Sequence, residues 1–215
     1  MIRTVTIERE YGSGGGAIAK KLADRLGWRL WDHAVTCEIA KRLKCDVSAV
    51  EQREERCDPT FYRLMKAFMR GSYEDQLGTG AVDMLDAEHL SKLFEKIALD
   101  IAAQGNAVIV GRGSTWFLRN RPDSFHMFVY APHAEKMRRL RAQGFSEADA
   151  DDLVQRVDQE RATFVKRYYN KNWPTRDLYH MMINSVIGDE AVVELVLHEI
   201  NILNSTRVET GEKAS

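Results

Sequence analysis

The feature that most constrains the fold of this chain is a glycine-rich turn near its start, which joins an apolar segment to a helix-forming one. Residues 2–7 (IRTVTI) are rich in β-branched side chains, which favours a short strand. Residues 17–26 (AIAKKLADRL) carry apolar side chains at helical spacing, and Gly27 is a typical helix end. The turn between them has glycine at positions 12, 14, 15 and 16. The sequence therefore predicts a strand, a glycine loop and a helix in direct succession.

Strands and helices alternate along the rest of the chain. Further strands are predicted at 28–32, 107–111, 125–131 and 178–185. Helices are predicted at 34–56, at 83–104, from Pro132, after Ser146 and from Asp189. This order predicts an α/β fold, a parallel sheet with helices on both faces.

Composition limits the classes of function. The net charge is -1, so we expect neither nucleic acid nor a membrane surface as a partner. No apolar run approaches the roughly 20 residues that span a bilayer, and the N-terminus enters a strand without a signal sequence. The odd number and the spacing of Cys37, Cys45 and Cys57 indicate reduced thiols rather than a disulfide framework or a zinc site. We therefore expect a cytoplasmic protein.

The glycine turn resembles a phosphate-binding loop that has lost part of its chemistry. The standard loop, G-x-x-x-x-G-K-[ST], cradles phosphates with backbone amides, and its lysine and hydroxyl serve the outer phosphates and Mg²⁺. Its fixed positions fall on Arg9, Gly14, Gly15 and Gly16, of which only Gly14 matches. Glycines still allow a ligand to approach closely, and the positive end of the next helix points at the loop. The candidate phosphate-binding residues are Gly12, Ser13, Gly14, Gly15, Gly16, Ala17 and Lys20.

Two other interpretations of the turn stay open. Gly12, Gly14 and Ala17 satisfy the dinucleotide fingerprint G-x-G-x-x-G/A, and Asp32 follows Gly12 by 20 residues. Against this, the mostly polar segment 8–11 separates the strand from the first glycine, which suggests the wider phosphate loop. The turn can also be a purely structural connection, although four glycines carry a high cost in chain entropy for that purpose. We favour the phosphate loop.

Basic residues elsewhere in the chain are candidates for binding phosphate. Arg112 follows a buried strand between two glycines, and arginine there suits a phosphate in the crevice of an open sheet. A charged helical stretch predicts a lid that swings cations over phosphates, with a solvated helix face as the alternative. Its candidate residues are Arg156, Arg161, Lys166 and Arg167. The six histidines show no metal-binding spacing, so we predict no metal site built from them.

The segments IEREYGSGGGAIAKKLADRLG, WD, VIVGRGS, ERATFVKRYYNKNW and LYHMMINS together resemble the cytidylate kinase-like family, a branch of the nucleoside monophosphate kinases. The resemblance covers about residues 2–200. It implies a three-layer P-loop NTPase fold in a single domain, 1–205. It also implies a helical acceptor-binding region at about 33–85 and a helical lid at about 140–175. The end of the chain, 206–215, is polar, so we expect it to form a loose tail.

The same resemblance implies the chemistry. The loop would hold the phosphates of ATP with Mg²⁺, Arg112 would contact the acceptor monophosphate, and the four basic residues named above, Arg161 first, would form the lid. The expected activity is ATP-dependent phosphorylation of a nucleoside monophosphate, CMP or dCMP first, with Asp32 near the acceptor. The alternatives are a nucleotide-binding protein without catalysis, and a kinase for another small acceptor with Asp32 or His33 as the base. A homodimer through the apolar cluster at 61–69 is left open.

One hypothesis addresses the missing lysine. Arg9 stands inside the loop, at the position of the first glycine of the standard pattern. Arg9, or Lys20 on the following helix, would then reach the β-phosphate. We therefore count Arg9 with Arg112 and Arg161 as the candidate catalytic residues.

Overall fold

A computed structural model describes residues 1–32, 87–111 and 113–209. Several predictions from the sequence lie outside these ranges: the helix at 34–56, the whole acceptor-binding region at 33–85, the apolar cluster at 61–69, the three cysteines, His33 and Arg112. Within the described residues, no helix combines the length and apolar character needed to cross a membrane.

Five parallel strands form one sheet, as the alternation of elements predicts. They are β1 (Thr4–Arg9), β2 (Arg29–Trp31), β3 (Ala107–Val110), β4 (Ser124–Tyr130) and β5 (Met181–Asn184), in the spatial order β2-β3-β1-β4-β5. β1 lies in the centre, where Thr4 pairs with Ala107 of β3 on one side and with Ser124 of β4 on the other. The predicted fold class, a parallel sheet flanked by helices, is confirmed.

The helices are α1 (Gly15–Leu26), α2 (Ala87–Gln104), α3 (Ser114–Leu118), α4 (His133–Ala142), α5 (Glu147–Tyr169) and α6 (Asp189–Glu209). Short 3₁₀ turns at Arg176–Leu178 and Ser185–Ile187 flank β5. The sequence did not predict α3, because five residues are too few to show a helical period. α6 extends to Glu209, so it includes the first residues of the segment expected to be a loose tail.

The strand order argues against the dinucleotide interpretation of the glycine turn. In the dinucleotide fold, whose usual order is 3-2-1-4-5-6, β2 lies beside β1, so its terminal acid meets the ligand on the first loop. Here β3 lies between β1 and β2. Asp32 therefore follows a strand two places from β1, about 10 Å away at the usual strand spacing.

The side of the sheet that carries α1 and α6 is a continuous apolar core. Val5 and Ile7 of β1 are fully buried there, together with apolar residues of β3, β4, α1 and α6. A second, smaller cluster lies around Tyr11, which packs with Leu140 of α4 and Val157 of α5. This second cluster attaches the helical hairpin α4–α5 to the segment that follows β1.

Candidate active site

The glycine loop connects the end of β1 to the start of α1. Gly12 and Gly14 adopt positive φ angles of 73° and 80°, which only glycine adopts readily. The hydroxyl of Ser13 donates to the carbonyl of Glu10 at 2.8 Å, and the carbonyl of Ser13 accepts from the hydroxyl of Ser185 at 2.6 Å. Side chains on both sides of the turn therefore fix its shape.

The N-terminus of α1 has the features of an anion site. Gly14 is the capping residue, no side chain bonds to the cap, and the first turn contains no acidic residue. The backbone N–H groups of the first turn are thus not taken by a capping side chain, and the positive end of the helix dipole adds to their field. A phosphate is the kind of ligand that this arrangement favours.

Arg9 is buried in a slot between two glycines. The residue is only 6% exposed. A Cβ on Gly15 would lie 2.6 Å from the Cβ of Arg9, and a Cβ on Gly111 would overlap its Nη1. The side chain of Arg9 therefore passes the first residue of α1 and ends at the carboxyl end of β3.

Arg161 meets Arg9 at the carboxyl end of β1. Its Nη1 donates to the carbonyl of Arg9 at 3.0 Å and to Oδ1 of Asp158 at 3.2 Å. It is also 6% exposed, although it belongs to the charged helix α5. Of the basic residues predicted on this helix, Arg161 is thus the one that the described structure brings to the loop.

Asp158 connects the loop to the α4–α5 hairpin, a role that the sequence did not reveal. Its Oδ1 accepts from the backbone N–H of Tyr11 at 2.8 Å, and its Oδ2 lies 3.1 Å from Nζ of Lys136. Lys136, almost fully buried, also pairs with Glu10 at 2.9 Å. These contacts join residues far apart in sequence, so no local pattern could have indicated them.

Arg139 is a second cation beside the loop that the sequence did not single out. Its Nη1 lies where a Cβ on Gly14 would be. The guanidinium donates to Glu135 at 2.8 Å, to Asp189 at 2.9 Å and to the carbonyl of Ser185 at 3.2 Å. It connects α4, the 3₁₀ turn after β5 and α6, so it supports the loop from behind.

A cavity of about 30 Å³ adjoins the two arginines. Its lining includes Glu8, Arg9, Arg161, Trp116, Tyr169 and Tyr179. Glu8 is partly exposed as a residue, but its carboxyl group is desolvated. Burial therefore raises the pKa of Glu8, opposed by the charges of Arg9 and Arg161 and by the N–H of Gly113. A carboxyl group of this kind is a stronger base than one in water.

The remaining predicted residues lie away from this centre. Arg156 pairs with Asp152 at 3.1 Å on an exposed face of α5, and Lys20 pairs with Asp24 at 2.7 Å on an exposed face of α1. Lys166 is exposed on α5. Asp32 is buried at the end of β2. Arg167 also belongs to α5, but its side chain lies outside what the structure describes.

A parallel sheet whose central strand leads through a glycine loop into a helix is the arrangement of the P-loop fold. Two solved shikimate kinases share the fold: the enzyme from Bacteroides thetaiotaomicron (TM-score 0.53, 14% identity, 94% of this chain and 99% of that chain) and the one from Acinetobacter baumannii in complex with shikimate (TM-score 0.51, 13% identity, 93% of each chain). A crystal structure of an uncharacterized protein from Eubacterium ventriosum is also similar (TM-score 0.63, 20% identity, 94% of this chain and 99% of that chain). At such identities the likeness concerns the fold alone.

The sequence model of the cytidylate kinase-like family matches residues 4–187. The chain therefore belongs to the cytidylate kinase-like family, as its motifs indicate. No curated protein matches the chain. Family and fold together are those of a kinase that acts on small molecules.

Proposed function

We propose that this protein transfers the γ-phosphoryl group of ATP to a nucleoside monophosphate, with CMP or dCMP as the first candidates. The observation that carries the proposal is the meeting of Arg9 and Arg161 at the carboxyl end of β1, next to the glycine loop. The family of the chain supports a nucleotide acceptor.

The loop suits the phosphates of ATP because no capping side chain occupies the first turn of α1. Backbone N–H groups at the start of α1 would hold the β-phosphate. The described residues contain no cluster of three or more His, Cys, Asp or Glu side chains. Mg²⁺ would be held chiefly by the phosphates of ATP, and water would fill its remaining coordination positions.

Phosphoryl transfer needs positioning and charge stabilisation more than covalent chemistry. A phosphate oxygen of the acceptor attacks the γ-phosphorus, the bond to the β–γ bridging oxygen breaks, and ADP leaves. The attacking oxygen is already ionised, so no base is required. Arg161, together with Arg112, which follows β3 in the sequence, would neutralise the charge on the transferred group.

The lid is part of the same proposal. The first half of α5 is attached to the loop through Asp158 and the Tyr11 cluster, whereas Arg156 and Lys166 lie on exposed positions. We assign Arg161 to the reaction itself, and Arg156, Lys166 and Arg167 to attraction of the anionic substrates. We divide the roles by burial, because a buried guanidinium and a phosphate attract each other more strongly than an exposed pair, whose charges water screens.

A second acceptor class is favoured by one observation, the carboxyl group of Glu8 in the cavity beside the arginines. An alcohol acceptor must lose its proton as it attacks, and a desolvated carboxylate accepts that proton well. Glu8 is better placed for this than Asp32, one of the bases expected from the sequence, because Glu8 lines the cavity and Asp32 does not.

The test is product formation followed by chromatography. The purified protein is incubated with ATP, Mg²⁺ and each common nucleoside monophosphate in turn, and with shikimate as a representative alcohol. We expect CDP or dCDP in the wild type and its loss in Arg161→Ala, which controls for a contaminating kinase. A phosphorylated alcohol would instead establish the second class, and ATP binding without any product would indicate a nucleotide-binding protein.

A further inference from the structure

The structure brings together two positions at which this loop departs from the standard one. In G-x-x-x-x-G-K-[ST] the first glycine falls on Arg9 and the lysine on Gly15. The chain thus has a cation where the standard loop has glycine, and glycine where the standard loop has a cation. In the folded protein these two residues are in direct contact.

The contact does not leave space for side chains at both positions at once. A Cβ on Gly15 would lie 2.6 Å from Cβ and 2.9 Å from Cγ of Arg9. Both atoms belong to the stem of Arg9, which cannot move aside without moving β1. The carbonyl of Arg9 is itself held by Arg161 at 3.0 Å, so the backbone at this point is fixed. Only one of the two residues can therefore carry a side chain into this space.

The far end of Arg9 meets the same restriction. Its Nη1 occupies the space that a Cβ on Gly111 would need. Gly111 lies at the carboxyl end of β3, next to the strand that carries Arg9. The two glycines, from α1 and from the end of β3, thus form a slot that directs the guanidinium along the carboxyl edge of the sheet, where open α/β sheets bind ligands.

We propose that Arg9 replaces the missing loop lysine. Relative to the standard loop, positions 9 and 15 have exchanged residue types: position 9 carries the cation and position 15 the glycine. The stem of Arg9 fills the space beside Gly15 where a lysine side chain would begin. Its guanidinium supplies the charge, with a planar set of donors that suits phosphate oxygens. The exchange rests on the proposed function in one respect, because it assumes that the loop holds ATP.

Paired substitutions test the exchange. Arg9→Met removes the cation and should weaken ATP binding by about 10- to 100-fold, the usual effect of losing a charged hydrogen bond. Gly15→Lys alone should weaken binding as well, because its side chain collides with Arg9. The double variant Arg9→Gly/Gly15→Lys restores the standard arrangement and should bind ATP within about threefold of the wild type.

The measurement is calorimetric titration with Mg²⁺ and ATP, with folding checked by circular dichroism and thermal melting. Arg25→Met is the matched control, since it removes an exposed arginine that pairs with Glu194 at the far end of α1. Its affinity should equal that of the wild type. If Arg9→Met does not fold, Arg9→Lys takes its place, and it should retain ATP affinity within a few-fold because the charge is kept.

Two results would overturn the exchange: wild-type affinity in Arg9→Met, or a double variant that binds no better than Gly15→Lys. If the wild type binds neither ATP nor inorganic tripolyphosphate, the loop holds no phosphate and the exchange is also wrong. The double variant can also restore ATP affinity while the wild type phosphorylates no acceptor. That result would support the exchange and refute the proposed kinase activity. The two proposals therefore fail in different ways.

Discussion

The two sides of the sheet differ most clearly at β1, whose residues alternate between them. Val5 and Ile7 enter the apolar core under α1 and α6, where they join residues such as Val108, Met127 and Val193. Thr6 and Glu8 face the other side, where they meet Thr115, His126 and the cavity at Arg161. One strand thus contributes to the apolar core with one face and to the cavity at Arg161 with the other.

The polar side is organised by hydrogen bonds. Thr6 Oγ1 lies 2.8 Å from Oγ1 of Thr115 and 2.7 Å from Nδ1 of His126. Nε2 of His126 lies 3.2 Å from the carbonyl of Leu118. If Nε2 carries the proton, it donates to that carbonyl and Nδ1 accepts from Thr6. Buried polar groups of this kind favour a single arrangement of their side chains, because a buried polar group without its hydrogen-bond partner destabilises the fold.

The largest expected effect on stability comes from the apolar side. Ile7→Ala leaves a cavity in a fully buried position and should lower the free energy of unfolding by about 2–5 kcal/mol. Leu195→Ala, which truncates a side chain of α6 that is 47% exposed, should change it by less than about 0.5 kcal/mol. Urea unfolding of both variants measures the contrast, and equal losses would show that β1 is not at the centre of this core.

The second effect concerns the pH dependence of the polar side. Burial, together with the neighbouring His180, lowers the pKa of His126 from 6.5 to about 4. Between these two values the unfolded chain binds more protons, so the free energy of unfolding falls as the pH falls through this window. Across this window the free energy of unfolding should fall by about 3 kcal/mol. Urea unfolding at several pH values should show this slope in the wild type and not in His126→Gln; the same slope in both would contradict the assignment.

The third prediction compares two buried threonines of one strand. Thr6→Val removes a hydroxyl with two buried partners and should cost about 1–3 kcal/mol of stability. Thr4→Val removes a buried hydroxyl that has no hydrogen-bond partner among the described residues, so it should be neutral or stabilising. Chemical unfolding ranks the two variants. A larger loss in Thr4→Val than in Thr6→Val would mean that the hydrogen-bond network does not organise this side.

The smallest effect is expected at Glu8. Because burial raises its pKa above 4.5, the folded state holds the proton more tightly, and stability falls as the pH rises through this range. Glu8→Gln should therefore raise Tm at pH 7, on the order of 2 °C, and leave it unchanged at pH 4. A lower Tm at pH 7 would show that the arginines stabilise the carboxylate more than burial penalises it.

The same substitution separates the two acceptor classes. Glu8→Gln should leave turnover with a nucleoside monophosphate nearly unchanged, because that reaction needs no base. With an alcohol acceptor it should lower kcat by about 10²–10⁴-fold, the usual contribution of a general base. Steady-state kinetics with the preferred acceptor decides between them.

The sequence predicted the apolar side better than the polar one, for a physical reason. Strands and helices can be recognised from local periodicity. All five strands were therefore predicted within a few residues of their observed ends, and the described helices other than α3 within a few residues of their observed starts. The glycine loop was also visible, because glycines cluster where the backbone needs them. Arg161 was chosen from a group of basic residues only by its likeness to a family motif.

Contacts between distant segments were not predictable in the same way. Nothing near Glu8 in the sequence shows that its carboxyl group faces a cavity with Arg161, which lies far along the chain. Asp158 and Lys136 look like ordinary charged residues of solvated helices, yet they meet Tyr11 and Glu10 in the fold. Tertiary packing alone distinguishes them from Arg156 and Asp152, which form a similar ion pair in solvent.

The most direct test of the account is the rate of phosphoryl transfer in Arg161→Ala against Arg156→Ala, measured by rapid quench with the best acceptor, or with water as acceptor if none is found. The two variants remove arginines from one helix, one buried at the loop and one exposed. We expect Arg161→Ala to slow transfer by at least about 10³-fold and Arg156→Ala by less than about threefold. Equal rates in the two variants would contradict the claim that Arg161, which donates to the carbonyl of Arg9 at the end of β1, stabilises the transferred group.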